Sequence, residues 1–433
     1  MKPLLVMTIA CVLTHIGTAG AATAQRYKSG WIYTAGASLG PVLGKIHPGG
    51  AVTTIVARTQ LPYDTWPHAG TMDVNNQNYA FTTIGNASIG SLYRVDRAGN
   101  IVKSLRILKV GPRSAGGYTT DVAIDPNGDY LIAVGRSGIG GRAAQILKVD
   151  RSMSVITTVL SGPPLIDPTA LAVDALTGNI LVFDVRKNIL SVSPDGATVN
   201  TIGSFQVTTF NQFAIDNRTG DIFKGSFGAA NVVVYRMTRS GAVTTFLPQG
   251  MAAAFGMHTD RSSAANQRLM VGSSSITSGF FAVDMRTRAM TTIVSSTSVN
   301  YQTVFPDEGR NVHTIKTGPG RWSIGIHFPG EAGNGYQLAL SLSGVVPGVP
   351  LAGGRHVSLN FDDLTRLSVN GLLGPILAGQ SGSLSALDRG LATLDVSSLP
   401  RVAGVRVYMT CVTLNPSAPF GWQTISEPWV IVL

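Results

Sequence analysis

Cysteine is nearly absent from this 433-residue sequence, which contains only Cys11 and Cys411. If the segment around Cys11 is removed as a leader, no disulfide can form within the chain. Cys411 lies in an alternating stretch, 407–414, that is typical of a strand, and we interpret it as a buried, inert thiol. Stability must therefore come from burial of apolar side chains, which 44% hydrophobic residues can supply.

Charged residues are also scarce, at 13% of the chain, and they are unevenly placed. From residue 318 onward there are six Arg, no Lys and six acidic residues, so the formal net charge of +10 lies before residue 318. A basic surface outside the cell favours acidic partners such as anionic polysaccharide, lipid headgroups or extracellular DNA. Because the basic residues are dispersed, a solvated surface without a specific ligand is the alternative.

The sequence lacks an apolar run long enough to span a membrane. Its N-terminus combines Lys2, a mostly apolar stretch over 4–16 and the small residues Ala22-Thr23-Ala24. That pattern predicts a signal peptide over 1–24, cleaved near Ala24, with Gln25 as the first mature residue. We therefore expect a secreted, periplasmic or cell-surface protein without a membrane-spanning helix.

Common catalytic signatures are missing as well. The chain has no H-E-x-x-H, no G-x-S-x-G and no P-loop. Residues 138–143 match G-x-G-x-x-A, but no helix pattern follows them, which argues against dinucleotide binding.

What the chain does contain is a repeated phrase, clearest in ALAVDALTGNILVF over 170–183. In each copy an apolar strand runs into an Asp, and a Gly-containing turn leads to a second strand. The copies recur about every 45 residues, the length of four short strands with their turns. The marker aspartates are Asp73, Asp125, Asp174, Asp216, Asp260 and Asp307.

A second hairpin follows each of the first five copies, and an extra hairpin near residues 43–56 has no marker strand before it. Pairing that N-terminal hairpin with the last marker strand, near 301–305, would close a ring of six units and remove exposed sheet edges. The sequence therefore predicts an all-β protein: a six-bladed β-propeller over 25–317, with a split blade, followed by a small antiparallel β-sandwich. Seven blades would need more strands than 25–60 provides.

The Asp and Gly of each phrase have a local explanation. Asp can accept hydrogen bonds from the backbone that follows it, and Gly takes the positive-φ position of a turn. Calcium binding by Asp125, Asn127 and Asp129 is conceivable, but no twelve-residue loop with a terminal Glu is present, so turn chemistry is favoured.

The repeated phrase and its following V-D/S-x-x-G hairpin resemble the six-bladed propellers of the NHL and SMP-30 (gluconolactonase-like) group. The resemblance covers about residues 27–317. It implies the fold rather than an activity, because the group includes lactonases, lyases and binding modules.

The repeat ends after Gly318, where strands alternate between Gly/Pro turns. The strings PGEAGNGYQLALSLSG, GRHVSLNFDDL and VYMTCVTL are similar to a C-terminal module of secreted proteins from environmental bacteria. We expect 318–433 to be an accessory sandwich, and Trp422 and Trp429 are as consistent with its core as with a sugar platform.

If the propeller has a site, the repeat indicates where. The loops that enter the innermost strands converge at the mouth of the central channel, four or five residues before each marker Asp. Polar residues occupy most of these positions, and Asp167 and Tyr301 are nearby. We predict that together they form a binding site: His68, Thr120, Asp121, Asp167, Thr169, Asn211, Gln212, Tyr301 and Gln302. A hydrated mouth without a ligand is the alternative.

Comparison with the lactonase pattern argues against an enzyme. The resemblance implies a metal-binding Glu in an E-G-P phrase, which is absent here, although Asn211 or Asp167 could fill later ligand positions. Because these later positions could still bind a metal, a divalent cation such as calcium is a possible cofactor, although no complete set of ligands can be assigned. The lyase-like members use a His with a nearby acid, and His68 with Asp121 is the pair that could imitate them.

The favoured interpretation is a secreted, non-enzymatic protein that binds an extracellular polysaccharide or protein, anionic in chemistry, and not intracellular nucleic acid. One alternative is a lactone hydrolase or polysaccharide lyase of propeller type, with His68 and Asp121 as acid and base. Another is a structural component of an extracellular assembly.

Overall fold

The computed structural model describes the polypeptide in sixteen stretches: 31–35, 42–61, 65–73, 78–85, 90–107, 118–135, 143–207, 212–226, 233–248, 254–260, 267–273, 279–295, 301–307, 311–351, 355–400 and 402–433. The predicted signal peptide and its cleavage site lie outside these residues. Those from 31 to 260 and from 268 to 307 form one compact unit, and those from 311 to 433 form a second.

Twenty-four strands make up the described part of the larger unit. In chain order the first twelve are β1 Trp31–Ala35, β2 Leu43–Ile46, β3 Val52–Val56, β4 Thr65–Asp73, β5 Asn78–Gly85, β6 Gly90–Val95, β7 Ile101–Ile107, β8 Tyr118–Ile124, β9 Tyr130–Gly135, β10 Gln145–Val149, β11 Ile156–Ser161 and β12 Pro168–Val173. The next twelve are β13 Ile180–Asp184, β14 Asn188–Val192, β15 Val199–Ser204, β16 Phe213–Ile215, β17 Ile222–Gly225, β18 Val234–Met237, β19 Val243–Leu247, β20 Ala254–Asp260, β21 Arg268–Ser273, β22 Gly279–Asp284, β23 Met290–Ser295 and β24 Tyr301–Pro306.

These strands form six four-stranded antiparallel sheets among the described residues. Sheet 1 has the order β24-β1-β2-β3, and sheets 2 to 6 are the consecutive sets β4–β7, β8–β11, β12–β15, β16–β19 and β20–β23. The first strand of each sheet lies against the first strand of the next, and β24 contacts both β20 and β4. The larger unit is therefore a β-propeller, in which the innermost strands line a central ring.

Sheet 1 is assembled from the two ends of the unit. β1 pairs antiparallel with β24, with Trp31 opposite Pro306 and Thr34 opposite Thr303. The buried hydroxyls of Thr34 and Thr303 are 2.8 Å apart. This pairing closes the ring between the two ends of the unit. It leaves no unpaired backbone edge between β1 and β24.

The core lies between the faces of neighbouring sheets. One buried cluster combines Ile32 and Leu43 of sheet 1 with Phe81 and Val95 of sheet 2. Another combines Phe183 of sheet 4 with Met237 of sheet 5. The second strands of sheets 3, 4 and 5, which are β9, β13 and β17, are buried along their whole length.

Glycines at the outer hairpin turns allow the sheets to approach each other. Gly99 has φ +90, and a Cβ atom there would overlap the carbonyl oxygen of Ile55 on the preceding sheet. Gly50 has φ +82, and a Cβ would lie 2.8 Å from the carbonyl oxygen of Ile293 on sheet 6. These turns need Gly both for the positive φ and for the contact with the neighbouring sheet.

The smaller unit contains two larger sheets and one helix within the described residues. Its strands are β25 Val312–Gly318, β26 Arg321–His327, β27 Gly335–Ser341, β28 Val349–Pro350, β29 His356–Val357, β30 Leu377–Ala378, β31 Ser381–Ser383, β32 Arg389–Asp395, β33 Arg406–Leu414, β34 Trp422–Ile425 and β35 Trp429–Val432. One sheet has the order β25-β26-β32-β30, and the other has β31-β27-β33-β34 with β35 also paired to β33.

Two details of the smaller unit differ from the sequence prediction. β25, assigned to the propeller segment 25–317, pairs with β26 of the smaller unit along its length. A short helix, α1, spans Asp363–Val369 where only strands were expected. Asp362 caps it by accepting a hydrogen bond from the Thr365 amide at 2.8 Å.

Trp429 and Cys411 of this unit are buried. Trp429 donates from Nε1 to the Thr314 hydroxyl at 2.9 Å, whereas Trp422 is half-buried. The Cys411 thiol is fully buried, and burial raises its pKa. The thiol therefore stays protonated, as expected for an inert cysteine.

No helix among the described residues has the length and apolar character needed to cross a membrane.

Candidate functional site

The predicted mouth residues lie at or just before the starts of innermost strands. His68 is on β4, Thr120 and Asp121 are on β8, Thr169 is on β12, and Tyr301 with Gln302 begins β24. Asp167 and Gln212 precede β12 and β16, whereas Asn211 lies outside the described residues. The described members therefore lie on, or just before, the innermost strands of sheets 1 to 5.

Innermost strands present unpaired backbone groups to the ring, and the mouth residues satisfy several of them. His68 Nδ1 lies 2.6 Å from the carbonyl oxygen of Thr120 on the next sheet. Thr120 in turn donates from its hydroxyl to the Pro168 carbonyl at 2.8 Å. These two bonds link sheets 2, 3 and 4. Burial lowers the pKa of His68, which keeps the imidazole neutral.

Asp121 is buried and uses both carboxylate oxygens. Oδ1 accepts from the Val122 amide at 2.8 Å, and Oδ2 accepts from the Leu171 amide on sheet 4 at 2.9 Å. Burial nevertheless raises the pKa of Asp121 to about 7, against the lowering effect of these amides and of Lys224.

Lys224, which was not among the residues predicted from the sequence, is a buried lysine. It lies on β17, is 0% exposed, and places Nζ 4.4 Å from the centre of the Phe183 ring on sheet 4. Burial lowers its pKa to about 7, and the charge of Asp121 acts in the opposite direction. The available signal was a Lys inside the otherwise apolar strand IFKG, at a position where the other repeats carry apolar or small residues.

Gln212 joins three sheets. Its Oε1 accepts from the Met257 amide on β20 at 3.1 Å and from the Val304 amide on β24 at 3.3 Å. A side chain that precedes β16 thereby reaches the innermost strands of the next two sheets, so it holds this part of the ring together.

Three further described candidates, Thr169, Asp167 and Tyr301, also contact the framework. Thr169 donates to the Phe183 carbonyl at 3.3 Å. Asp167 has φ +50, and its carbonyl accepts from the Val185 amide at 3.1 Å. Tyr301 is fully buried against Tyr33, with ring centroids 4.8 Å apart. Gln302 is half-buried.

The marker aspartates form the expected turns and also connect sheets. Asp174 accepts from the Leu176 amide at 2.9 Å, and its other oxygen lies 2.5 Å from the Arg239 guanidinium on sheet 5. Asp307 accepts from Lys45 at 2.6 Å and from Arg97 at 2.5 Å. The turns were expected from the sequence, whereas these ion pairs between sheets were not.

The conceivable calcium ligands hold an ammonium group. Lys148 Nζ lies 2.6 Å from Asp125 Oδ2 and 3.1 Å from Asp129 Oδ2. The carboxylates therefore already share a cation supplied by the chain. Among the described residues, no group of three or more His, Cys, Asp or Glu side chains is arranged to hold a metal ion.

No protein-family model matches the chain, and a search of curated proteins finds no match. Similar solved structures include a nidogen/laminin complex, with 11% identity over 64% of this chain and 97% of that chain and a TM-score of 0.48. A protein of unknown function from Bacteroides caccae has 12% identity over 63% and 97%, with a TM-score of 0.45. Regucalcin from Agrobacterium tumefaciens has 14% identity over 54% and 74%, with a TM-score of 0.39. At these identities the likeness concerns the fold alone.

Proposed function

We propose that this chain is an exported, non-enzymatic binding protein whose ligand is held at the propeller mouth. In this proposal residues 25–317 form a six-bladed propeller of the NHL and SMP-30 type, and 318–433 form an accessory β-sandwich. A signal peptide over 1–24 directs the chain to the periplasm, cell surface or medium.

The observation that carries the proposal is the hydrogen bonding of the candidate acid and base. Both oxygens of Asp121 accept from backbone amides, and His68 Nδ1 is held on the Thr120 carbonyl. These bonds fix the two side chains to the framework and not to each other. A framework of this kind holds the half-buried His68 and Gln302 in fixed positions, which favours recognition of a ligand, since the shape of the site is set before binding.

The ligand is an extracellular polysaccharide or protein with acidic groups. The net positive charge lies before residue 318, and a basic surface concentrates anionic polymers around it. Gln302 is half-buried at the start of β24, where it can contact such a ligand.

A lactone hydrolase or polysaccharide lyase is the second candidate, and one observation favours it. Asp121 and Lys224 both have a pKa shifted to about 7, as acid–base groups of enzymes often do. Lys224 is 0% exposed, however, so a substrate could not reach its amine in this conformation. This candidate therefore ranks below the binding protein.

Binding of labelled polygalacturonate and heparin to the full mature chain tests the proposal. We expect Gln302→Glu to weaken binding of the anionic polymer about tenfold, because it places a carboxylate at the mouth. Thr291→Glu is the matched control, since it adds the same charge on the exposed outermost strand β23 and should have a small effect.

Equal weakening by both variants would indicate a diffuse electrostatic surface and would overturn the mouth site. Recovered polymer is also analysed by mass spectrometry. Intact polymer supports a binding protein, whereas shortened or unsaturated products that disappear in Asp121→Asn would support the enzyme instead. Self-assembly without binding either polymer would favour a structural component.

A further inference from the structure

The outer face of the sheet formed by β25, β26 and β32 carries an unusual set of side chains. Alternate residues of these strands, such as Val312, Ile324 and Ala392, are buried. The residues between them form the opposite surface, which we call the outer face: His313, Gly325, His327, Arg389 and Leu391. His313 and His327 are half-buried, Arg389 is exposed, and Leu391 is 62% exposed.

The strand register brings the polar members together. His327 is directly opposite Arg389, and Asn311, just before β25, exchanges hydrogen bonds with the backbone of His327. His313 is opposite Gly325 and therefore diagonal to His327 on the same face. A Cβ atom on Gly325 would overlap the His313 imidazole, so the Gly makes room for the ring to lie across β26.

Two polar atoms at this position lack a protein partner. His313 Nδ1 and Asn311 Oδ1 are buried and accept or donate no hydrogen bond among the described residues. Asn311 as a whole is 3% exposed. Buried polar atoms in native proteins are nearly always satisfied, so such a pair points to a ligand or ordered water.

The charge around these atoms is positive. Arg389 forms no ion pair within the described chain, and Arg321, farther along the face, is neutralised by Asp395 at 2.8 Å. Asp388, next to Arg389 in sequence, directs Oδ2 to the Gly330 amide. Burial, then His327 and Arg389, lower the pKa of His313 to about 4. A divalent cation is disfavoured beside Arg389, whereas an anion is attracted.

We propose that the outer face binds an anionic saccharide. Its carboxylate or sulfate group lies on Arg389 and His327, a sugar hydroxyl reaches the buried Asn311 oxygen through an ordered water, and an apolar face of the ring covers Leu391 and Gly325. Uronates and sulfated sugars share this combination of one anionic group, several hydroxyl donors and an apolar ring face. The site is separate in sequence and in residues from the propeller mouth.

Isothermal titration of the full mature chain with hexagalacturonate and with a heparin hexasaccharide tests the proposal and distinguishes carboxylate from sulfate. We expect Arg389→Gln to weaken the tighter of the two about tenfold, because a charge-assisted hydrogen bond is lost. Arg321→Gln, on the same face but paired with Asp395, is the matched control and should bind like the wild type.

His327→Gln is a second test in case one variant folds poorly, and circular dichroism confirms that each variant is folded. The site would be overturned if Arg389→Gln and His327→Gln bound the oligosaccharide with the same affinity as Arg321→Gln. The anionic-saccharide site would also be overturned if zinc chloride raised the melting temperature of the wild type but not of His313→Ala. A cation site would then explain the unpaired atoms. Gln302→Glu changes the propeller mouth and should leave binding at the outer face intact. A failed prediction at the outer face can therefore be distinguished from a failed prediction at the mouth.

Discussion

Lys224 holds its ammonium nitrogen 4.4 Å above the centre of the Phe183 ring, without contact to solvent. The ring offers the face of its π-system to the cation, and Asp121 supplies the compensating charge. Three sheets of the propeller thus share one buried charge system.

Removing one member of this system should be costly. We expect Lys224→Met and Asp121→Asn each to lower the free energy of unfolding by about 3 kcal/mol, because the remaining group is left buried without its partner. The double variant should be closer to the wild type than the sum of the two losses. Urea unfolding of the four proteins measures this coupling, and strictly additive losses would show that the two groups are independent.

The pair also predicts a pH dependence of stability. Burial lowers the pKa of Lys224 from 10.5 to about 7, so between these values the folded state binds fewer protons than the unfolded state. Stability from this group is lost as pH falls and is regained as pH rises. The wild type should therefore gain stability relative to Lys224→Met between about pH 7 and pH 9. Urea midpoints at the two pH values check this, and a constant difference would contradict it.

Gly99 should tolerate no side chain. Gly99→Ala combines a positive φ with an overlap of the new methyl group and the Ile55 carbonyl, and we expect a loss of about 3 kcal/mol. Gly162→Ala is the control, because its φ is +75 but the nearest atom to a Cβ is 4.0 Å away. Thermal unfolding of both variants separates the effect of the contact from that of the φ angle. Similar melting temperatures would mean that the contact contributes nothing.

Asp307 should stabilise the join between sheets 1 and 2. It is 1% exposed and binds Lys45, Arg97 and the Tyr79 hydroxyl. We expect Asp307→Asn to lower stability by about 3 kcal/mol, because two cations lose a buried partner. Asp195→Asn, in an exposed turn with local hydrogen bonds, should change it by less than about 1 kcal/mol.

Gln212 should protect the amides that it binds. Gln212→Leu removes the acceptor for Met257 and Val304, and we expect faster hydrogen exchange at both amides with a loss of about 2 kcal/mol. Gln212→Glu keeps an acceptor and should retain more of the protection. Unchanged exchange in the Leu variant would show that the two bonds do not persist in solution.

The fold could be predicted largely because its signals are local. Each marker Asp, its turn Gly and the flanking apolar strands lie within about a dozen residues, and turn chemistry acts over that range. The helix α1 was missed although Asp362 and Thr365 have the spacing of an N-cap and its N3 residue. Its hydrophobic neighbours also suit a strand, so the cap was the deciding signal.

The site was less predictable, since its partners are distant in sequence. Nothing near Asp307 indicates Lys45, which reaches it from the other end of the propeller. Gln212 was predicted to lie near the ring from its distance to Asp216, but its bonds to Met257 and Val304 depend on how the sheets are arranged. Lys224 is the exception, because a Lys within an apolar strand is visible in the sequence alone.

The pairing of β1 with β24 has a consequence for synthesis. Strands β1, β2 and β3 of sheet 1 leave the ribosome before the other sheets. Their innermost partner, β24, is made only after those five sheets. Until Tyr301–Pro306 emerges, Trp31–Ala35 has an unpaired backbone edge that another chain could occupy. We therefore expect ring closure to complete folding of the larger unit, and the nascent chain to be most vulnerable to domain swapping just before that step.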